Sequence, residues 1–379
     1  MSFGKRKDDK MDALEQRYQR ALEMIDEDEL EGALEESRNL LAQDDQNPHF
    51  WCLEGKIRQM LGEEQAAERA FERACQLEPG MAEPQLYKAG FLIELGRYED
   101  AISTLKQALQ FTEDPIDERD AYFMWAEAEI HLGREALTQL MEEMSEVVEE
   151  GSEPPTLTMP PEIREQFERG LELTQKAINL NPELADLWHL RAGVLMDLEQ
   201  SDEAIQCYEE ALRLEPDRPD FLHDMGLACE IAERYDEARK CYRALYEVET
   251  NEEPDGMDFS RTEFAEMTRE VWHTLESALM EMLEEPLPPF EVATEDFPSA
   301  DLLEQAPHDS PFNPWSPLRI EITQKDEDDP QIRCIFYQRN VEREVGSDDP
   351  QEMLEYLRYL LEDVLFNLPN AEDLGPIEA

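Results

Sequence analysis

The sequence predicts a mainly helical chain: a solenoid of about six helical hairpins followed by a small α+β unit. Three observations lead there. One register recurs through the first two-thirds: an aromatic or Leu, a small residue four on, an Ala twelve later, an aromatic, an Ala, then Pro. It reads Trp51, Gly55, Ala67, Phe71, Ala74, Pro79, and again Trp188, Ala192, Ala204, Tyr208, Ala211, Pro216. Leu222, Gly226, Ala238 and Tyr242 follow one period later, and a period near 34 residues means stacked helical hairpins. Past Thr250 the pattern changes to short alternating runs, the mark of strands.

Residues 1–10 (MSFGKRKDDK) read as a polar tail, and hairpins are expected over 11–133. Leu14, Tyr18, Ala21, Leu22 and Ile25 form one apolar stripe, and Leu30, Ala33, Leu34, Leu40 and Leu41 the next. The cleanest repeat, Pro48 to Gly80, places Gly62 at its turn and Pro79 at its end, where the missing amide hydrogen stops the helix. A third hairpin carries Tyr87, Gly90, Gly96, Tyr98, Ala101, Leu105 and Ala108; a fourth begins with Tyr122, Trp125, Ala126 and Gly133. After Gly133 the register fails. Residues 134–161, acidic and then Pro-rich, read either as an insertion inside one hairpin or as a joint between two arrays. Hairpins resume over 162–250, a polar linker spans 251–259, and 260–379 forms the α+β unit, with a helix from Phe264, strands at Phe290–Thr294, Leu318–Thr323 and Ile332–Tyr337, and a last helix at Gln351–Leu368.

The chain carries 93 acidic and 34 basic residues, a net charge of −59. Such a field repels nucleic acid and anionic membranes, because phosphate binding depends on Lys and Arg. Three reasons for it stay open: solvation of a long solenoid, a salty cytoplasm, or a basic partner. None of the six cysteines forms a CxxC pair, so they read as small packing residues in a reducing compartment. The first residues lack an apolar stretch, so no secretory leader is expected. No run approaches the roughly 18 apolar residues of a membrane span. A cytoplasmic protein is expected.

The repeat residues quoted above resemble the tetratricopeptide repeat (TPR) family over about residues 11–250. The resemblance implies a right-handed superhelix whose first helices line a groove that holds a peptide or partner helix. His189 and His223 hold the same place in consecutive repeats, a position that commonly faces such a groove. His49 and Lys56 lie near that face of the Trp51 repeat, and Lys88 is the next lysine, also on a first helix. These five are the candidate contact residues, though each His reads equally as an ordinary surface or half-buried residue. The Lys, Arg and Asn set with which some TPR grooves grip a C-terminal carboxylate is not present as a set. A basic or amphipathic protein segment is therefore the expected partner.

Residues 262–375 resemble a small zincin-like metallopeptidase family of bacteria. The matching stretches are FEVATEDFP (Phe290–Pro298), IFYQR (Ile335–Arg339) and the last helix, YLLEDVLFNLPNAEDL (Tyr359–Leu374). In that family the last helix carries HExxH, two His one turn apart on zinc and a Glu that activates the bound water. At those places this chain has Glu362, Asp363 and Phe366, and no His follows His308. The resemblance therefore implies an inactive derivative, with no metal, no cofactor and no catalytic residue. Nor does a P-loop, a nucleophile triad or a dinucleotide glycine fingerprint occur. The preferred reading is a non-enzymatic interaction scaffold. A divergent metal-dependent hydrolase is the alternative, and a self-stacking assembly factor a third.

Overall fold

The computed structural model describes residues 2–112, 114–147, 159–251, 259–282, 290–324 and 330–367. Its contacts cluster into two compact units, Met1–Pro216 and Asp217–Ala379.

The first unit is a succession of helices: α1 (Ser2–Asp26), α2 (Leu30–Leu41), α3 (Pro48–Met60), α4 (Glu64–Leu77), α5 (Ala82–Glu94), α6 (Tyr98–Ala108), α7 (Pro115–Val147), α8 (Pro161–Leu180), α9 (Ala185–Asp197) and α10 (Ser201–Leu214). Each odd-numbered helix lies against the even one that follows it, and α3 touches α5, α5 touches α7 and α7 touches α9. First helices thus form a ladder, the arrangement expected of stacked hairpins. Residues 2–10 do not stand apart as a tail: α1 runs from Ser2 without a break, since no proline interrupts it before Asp26.

Three of the hairpins share one contact, a glycine on the first helix beneath a ring on the second. A Cβ built on Gly55 would lie 2.5 Å from Phe71 Cε1, well inside van der Waals contact. Gly133 meets Phe167 in the same way, at 2.9 Å. The first pair is 16 residues apart in sequence and the second 34, so the extra length falls between the two limbs of one hairpin. The first limb absorbs part of it: α7 is 33 residues long and continues past Gly133 to Val147 before α8 returns. Of the expected insertion, residues 148–158 lie outside the described residues.

The turns inside the hairpins share one geometry. Gly62 and Gly96 have φ of 72° and 69°, and Asp28 and Glu199 adopt the same left-handed conformation at 59° and 61°. In each, the amide three residues past the end of the helix closes a six-residue ring to the last turn, as Glu63 N does to Arg58 O and Gln200 N to Leu195 O. Only the two glycines announce this in the sequence.

The second unit begins with a hairpin, α11 (Pro219–Ile231) and α12 (Tyr235–Asn251), in which Gly226 lies beneath the ring of Tyr242. Then come α13 (Arg261–Met282), β1 (Phe290–Glu295), α14 (Ala300–Gln305), β2 (Leu318–Gln324), β3 (Pro330–Tyr337), α15 (Gln338–Val345) and α16 (Pro350–Asn367). The sheet order is β1-β3-β2, with β3 parallel to β1 and antiparallel to β2. Because β3 is central, both its faces are buried: Cys334 and Phe336 on one, Ile335 and Tyr337 on the other. α13 and α16 pack together and close the core with Phe264, Val271, Trp272, Met353, Leu357 and Leu361, and Trp272 stacks on Phe290 at 4.2 Å. α14 and α15 fall where the sequence showed only a loop and a strand end; both are short, at 6 and 8 residues.

Six helix pairs are present among the described residues, five in the first unit and one in the second. Gly55→Ala should lower stability by about 1–3 kcal/mol, the cost of overpacking a filled core. Adding Phe71→Leu should recover part of that loss, because the clash lies with the ring. Urea melts of the two variants check this.

Candidate functional site

On the first-helix ladder of Met1–Pro216, consecutive helices are joined by polar pairs. Asn47 caps α3 by accepting from His49 N, and His49 Nδ1 lies 2.9 Å from Glu83 of α5. That hydrogen bond holds the imidazole above its usual range, against the opposing effect of burial. Burial pushes the hydroxyls of Tyr18 and Tyr87 upward, and the Glu83 charge adds to both, so an acid sits among aromatic rings. Further along, Arg134 of α7 donates Nη2 to Asp197 of α9 at 2.8 Å.

Between these pairs the carboxylates crowd one another. Burial raises Asp117, and the charges of Asp114, Glu83 and Asp120 raise it further. Burial lifts Glu127 to about 7, with Asp186 of α9 contributing.

The other candidates divide. Lys56 is half-buried on α3. Lys88 does not join His49 and Glu83. Five residues from Glu83, it points about 140° away and approaches Glu72 of α4 at 4.0 Å. There it lines a cavity of 340 Å³ with Cys75, Arg97 and Asp100. His189 lies against Tyr208 at 5.5 Å.

His223, in the second unit, faces a segment of its own chain. Trp315 stacks on it at 4.7 Å between ring centroids, and Asn313 Nδ2 donates to its Nε2 at 3.0 Å. The anchor is Glu249, on α12 and only 5% exposed. It accepts Trp315 Nε1–H at 2.8 Å, two bonds of 2.7 Å from Arg343 Nη2, and lies 3.0 Å from Arg339 Nη2. Arg343 also lies 4.4 Å from the centre of the Trp315 ring. Asn340 of α15 donates to Pro314 O and Ser316 O, both at 2.8 Å. Sequence reasoning missed Glu249, Arg339, Arg343 and Asn340. Among 93 acids nothing marks one Glu as buried.

On α16, Glu362 accepts from Arg358 Nε at 2.7 Å, a bond within one helix, and Asp363 is exposed. Among the described residues no group of three or more His, Cys, Asp or Glu is placed to hold a metal. No helix among them is long and apolar enough to cross a membrane. The cysteines are free thiols, five of them buried; burial pushes Cys334 up to about 12.

Two segments match family models: residues 58–119 that of the tetratricopeptide repeat, and residues 192–230 that of the TPR repeat. The chain therefore carries tetratricopeptide repeats. No curated protein matches it. Among solved structures it is similar to a thermophilic TPR protein of Thermus thermophilus, at 23% identity and TM-score 0.40, over 53% of this chain and 91% of that one. It is similar to the MamA protein at 21% identity and TM-score 0.39, over 54% and 92%. Pseudomonas aeruginosa PilF shares 18% identity at TM-score 0.45, over 64% and 98%.

Two outcomes follow from this geometry. Between pH 4.5 and about 7 the folded chain keeps a proton on Glu127 that the unfolded chain has released, so stability falls across that interval. Glu127→Gln should thus raise the melting temperature at pH 8 and change it little at pH 4.5. Glu249→Ala should cost about 1–3 kcal/mol, because it leaves two half-buried arginines and an indole N–H without their acceptor. Arg343→Ala, which leaves Arg339 and Trp315 on the carboxylate, should cost less; urea titrations followed by tryptophan fluorescence compare the two.

Proposed function

We propose that this chain is a non-enzymatic, cytoplasmic interaction scaffold whose first-helix ladder holds a basic or amphipathic segment of a partner protein. The observation that carries the reading is the crowding of carboxylates at two places on that ladder, Glu83 with Asp117 and Glu127 with Asp186. A Lys or Arg placed among them removes the like-charge repulsion and gains charge-assisted hydrogen bonds. Tyr18 and Tyr87 beside Glu83 add ring faces for the same cation. Of the five residues expected as contacts, His49, Lys56 and His189 remain the proposed ones on this ladder, with His49 already tied to an acid, while Lys88 turns to Glu72 and His223 belongs to the second unit. The net charge of −59 favours such a partner over nucleic acid or an anionic membrane.

The α+β part of the second unit is read as an inactive zincin-like derivative, kept as a cap or a second docking surface. Its support is the last helix, where Glu362, Asp363 and Phe366 stand in place of the zinc ligands and the base.

Titration calorimetry of the full chain with a twelve-residue amphipathic Leu/Lys peptide tests the scaffold reading. The double variant Glu127→Gln, Asp186→Asn should bind at least about tenfold more weakly, a loss of about 1.4 kcal/mol, with a shallower dependence on salt. Equal affinity and equal salt dependence would remove the acidic ladder from the proposal. For the tail, elemental analysis of the purified chain should find no stoichiometric zinc; zinc that disappears on Glu362→Ala would make it a metalloenzyme instead.

A further inference from the structure

The α11 face beneath Trp315 has the features of a ligand site with its ligand in place. His223 offers a ring for stacking, 4.7 Å from the indole, and an imidazole nitrogen that accepts from the Asn313 side chain at 3.0 Å. The third contact is the Glu249 carboxylate, which accepts the indole N–H at 2.8 Å. A stacked ring, an amide and an indole hydrogen bond together recognise one side-chain pair, Asn and Trp two residues apart. The proline between them fixes φ, and the Asn313 side chain accepts from Trp315 N at 2.9 Å, so the segment is preorganised for the site.

The strap is held at its other points as well. Arg239 donates to Ala306 O at 2.6 Å, and His308 Nε2 lies 3.2 Å from Asp236 Oδ1. Yet it does not cover the whole face. Leu227 and Ile231 follow His223 at intervals of four, on the same side of α11, and remain 37% and 66% exposed. An apolar stripe that continues beyond the seated indole gives a second segment a foothold from which to compete.

We propose that this α11 face is a peptide-binding site for a proline-bracketed tryptophan. Its own Asn313-Pro314-Trp315 segment fills it in the resting chain, and a partner segment presenting the same Asn-Pro-Trp chemistry, followed by apolar residues for Leu227 and Ile231, displaces the strap. The site uses aromatic and amide recognition rather than the acidic ladder of the first unit, so either can fail without the other.

The test uses the full chain with residues 309–316 replaced by Gly and Ser of equal length. The probe is a labelled synthetic peptide of residues 308–318, HDSPFNPWSPL. The strapless chain should bind it saturably. The parent should bind it at least about tenfold more weakly, because the tethered strap competes, and so should the strapless chain carrying His223→Ala. A peptide with Ala in place of Trp should bind at least about tenfold more weakly too. A folded strapless chain that ignores the peptide, or takes the Ala version equally well, overturns the proposal. Should the strapless chain not fold, hydrogen exchange of the single variant His223→Ala decides. Amides of residues 309–316 should exchange about tenfold faster than in the parent, and unchanged protection overturns the proposal.

Discussion

The approach of a ring to a residue without a side chain is the constraint on which three of the hairpins rest. Gly55 beneath Phe71, Gly133 beneath Phe167 and Gly226 beneath Tyr242 are three instances of one contact. Each lets two backbones come closer than any Cβ would permit, and each fills the space with a large apolar surface. The contact also explains why the long fourth hairpin is still a hairpin. Its limbs meet at the same pair as the others, and the additional residues extend beyond the meeting point without altering it. Register depends on the contact, not on the length of chain between its partners.

Much of this was legible in the sequence because the contact demands particular residue types. A small residue, an Ala and an aromatic at fixed spacing can be read without coordinates, and Trp51, Trp188 and Leu222 marked three repeats in this way. What could not be read depends on burial. Asp28 and Glu199 turn the chain as Gly62 and Gly96 do, but an acid at a turn carries no signal in a chain with 93 of them. The fate of His223 was hidden for another reason. Its partners Asn313 and Trp315 are distant in sequence and belong to a loop, and the Glu249 that anchors Trp315 lies on a second helix. α14 and α15 escaped because 6 and 8 residues give too few turns for a period to show.

The acidic excess acts differently at different places. Most arginines in the structure find a carboxylate on the surface, where a pair contributes little. Glu249, like Glu54 and Glu129, is out of water, and it organises Arg339, Arg343 and Trp315 around one carboxylate. It is one of several contacts that join the last hairpin to the α+β segments, and the compact division falls before α11, at Pro216.

The acids at the left-handed turns have one more consequence. Asp28, Glu199 and Glu233 occupy a conformation that costs a side-chain-bearing residue about 1 kcal/mol, and glycine almost nothing. Three hairpin tips therefore hold unused headroom: the fold could be made sturdier at each without touching its core or either candidate surface. A chain that keeps carboxylates there retains charge at its extremities in preference to rigidity.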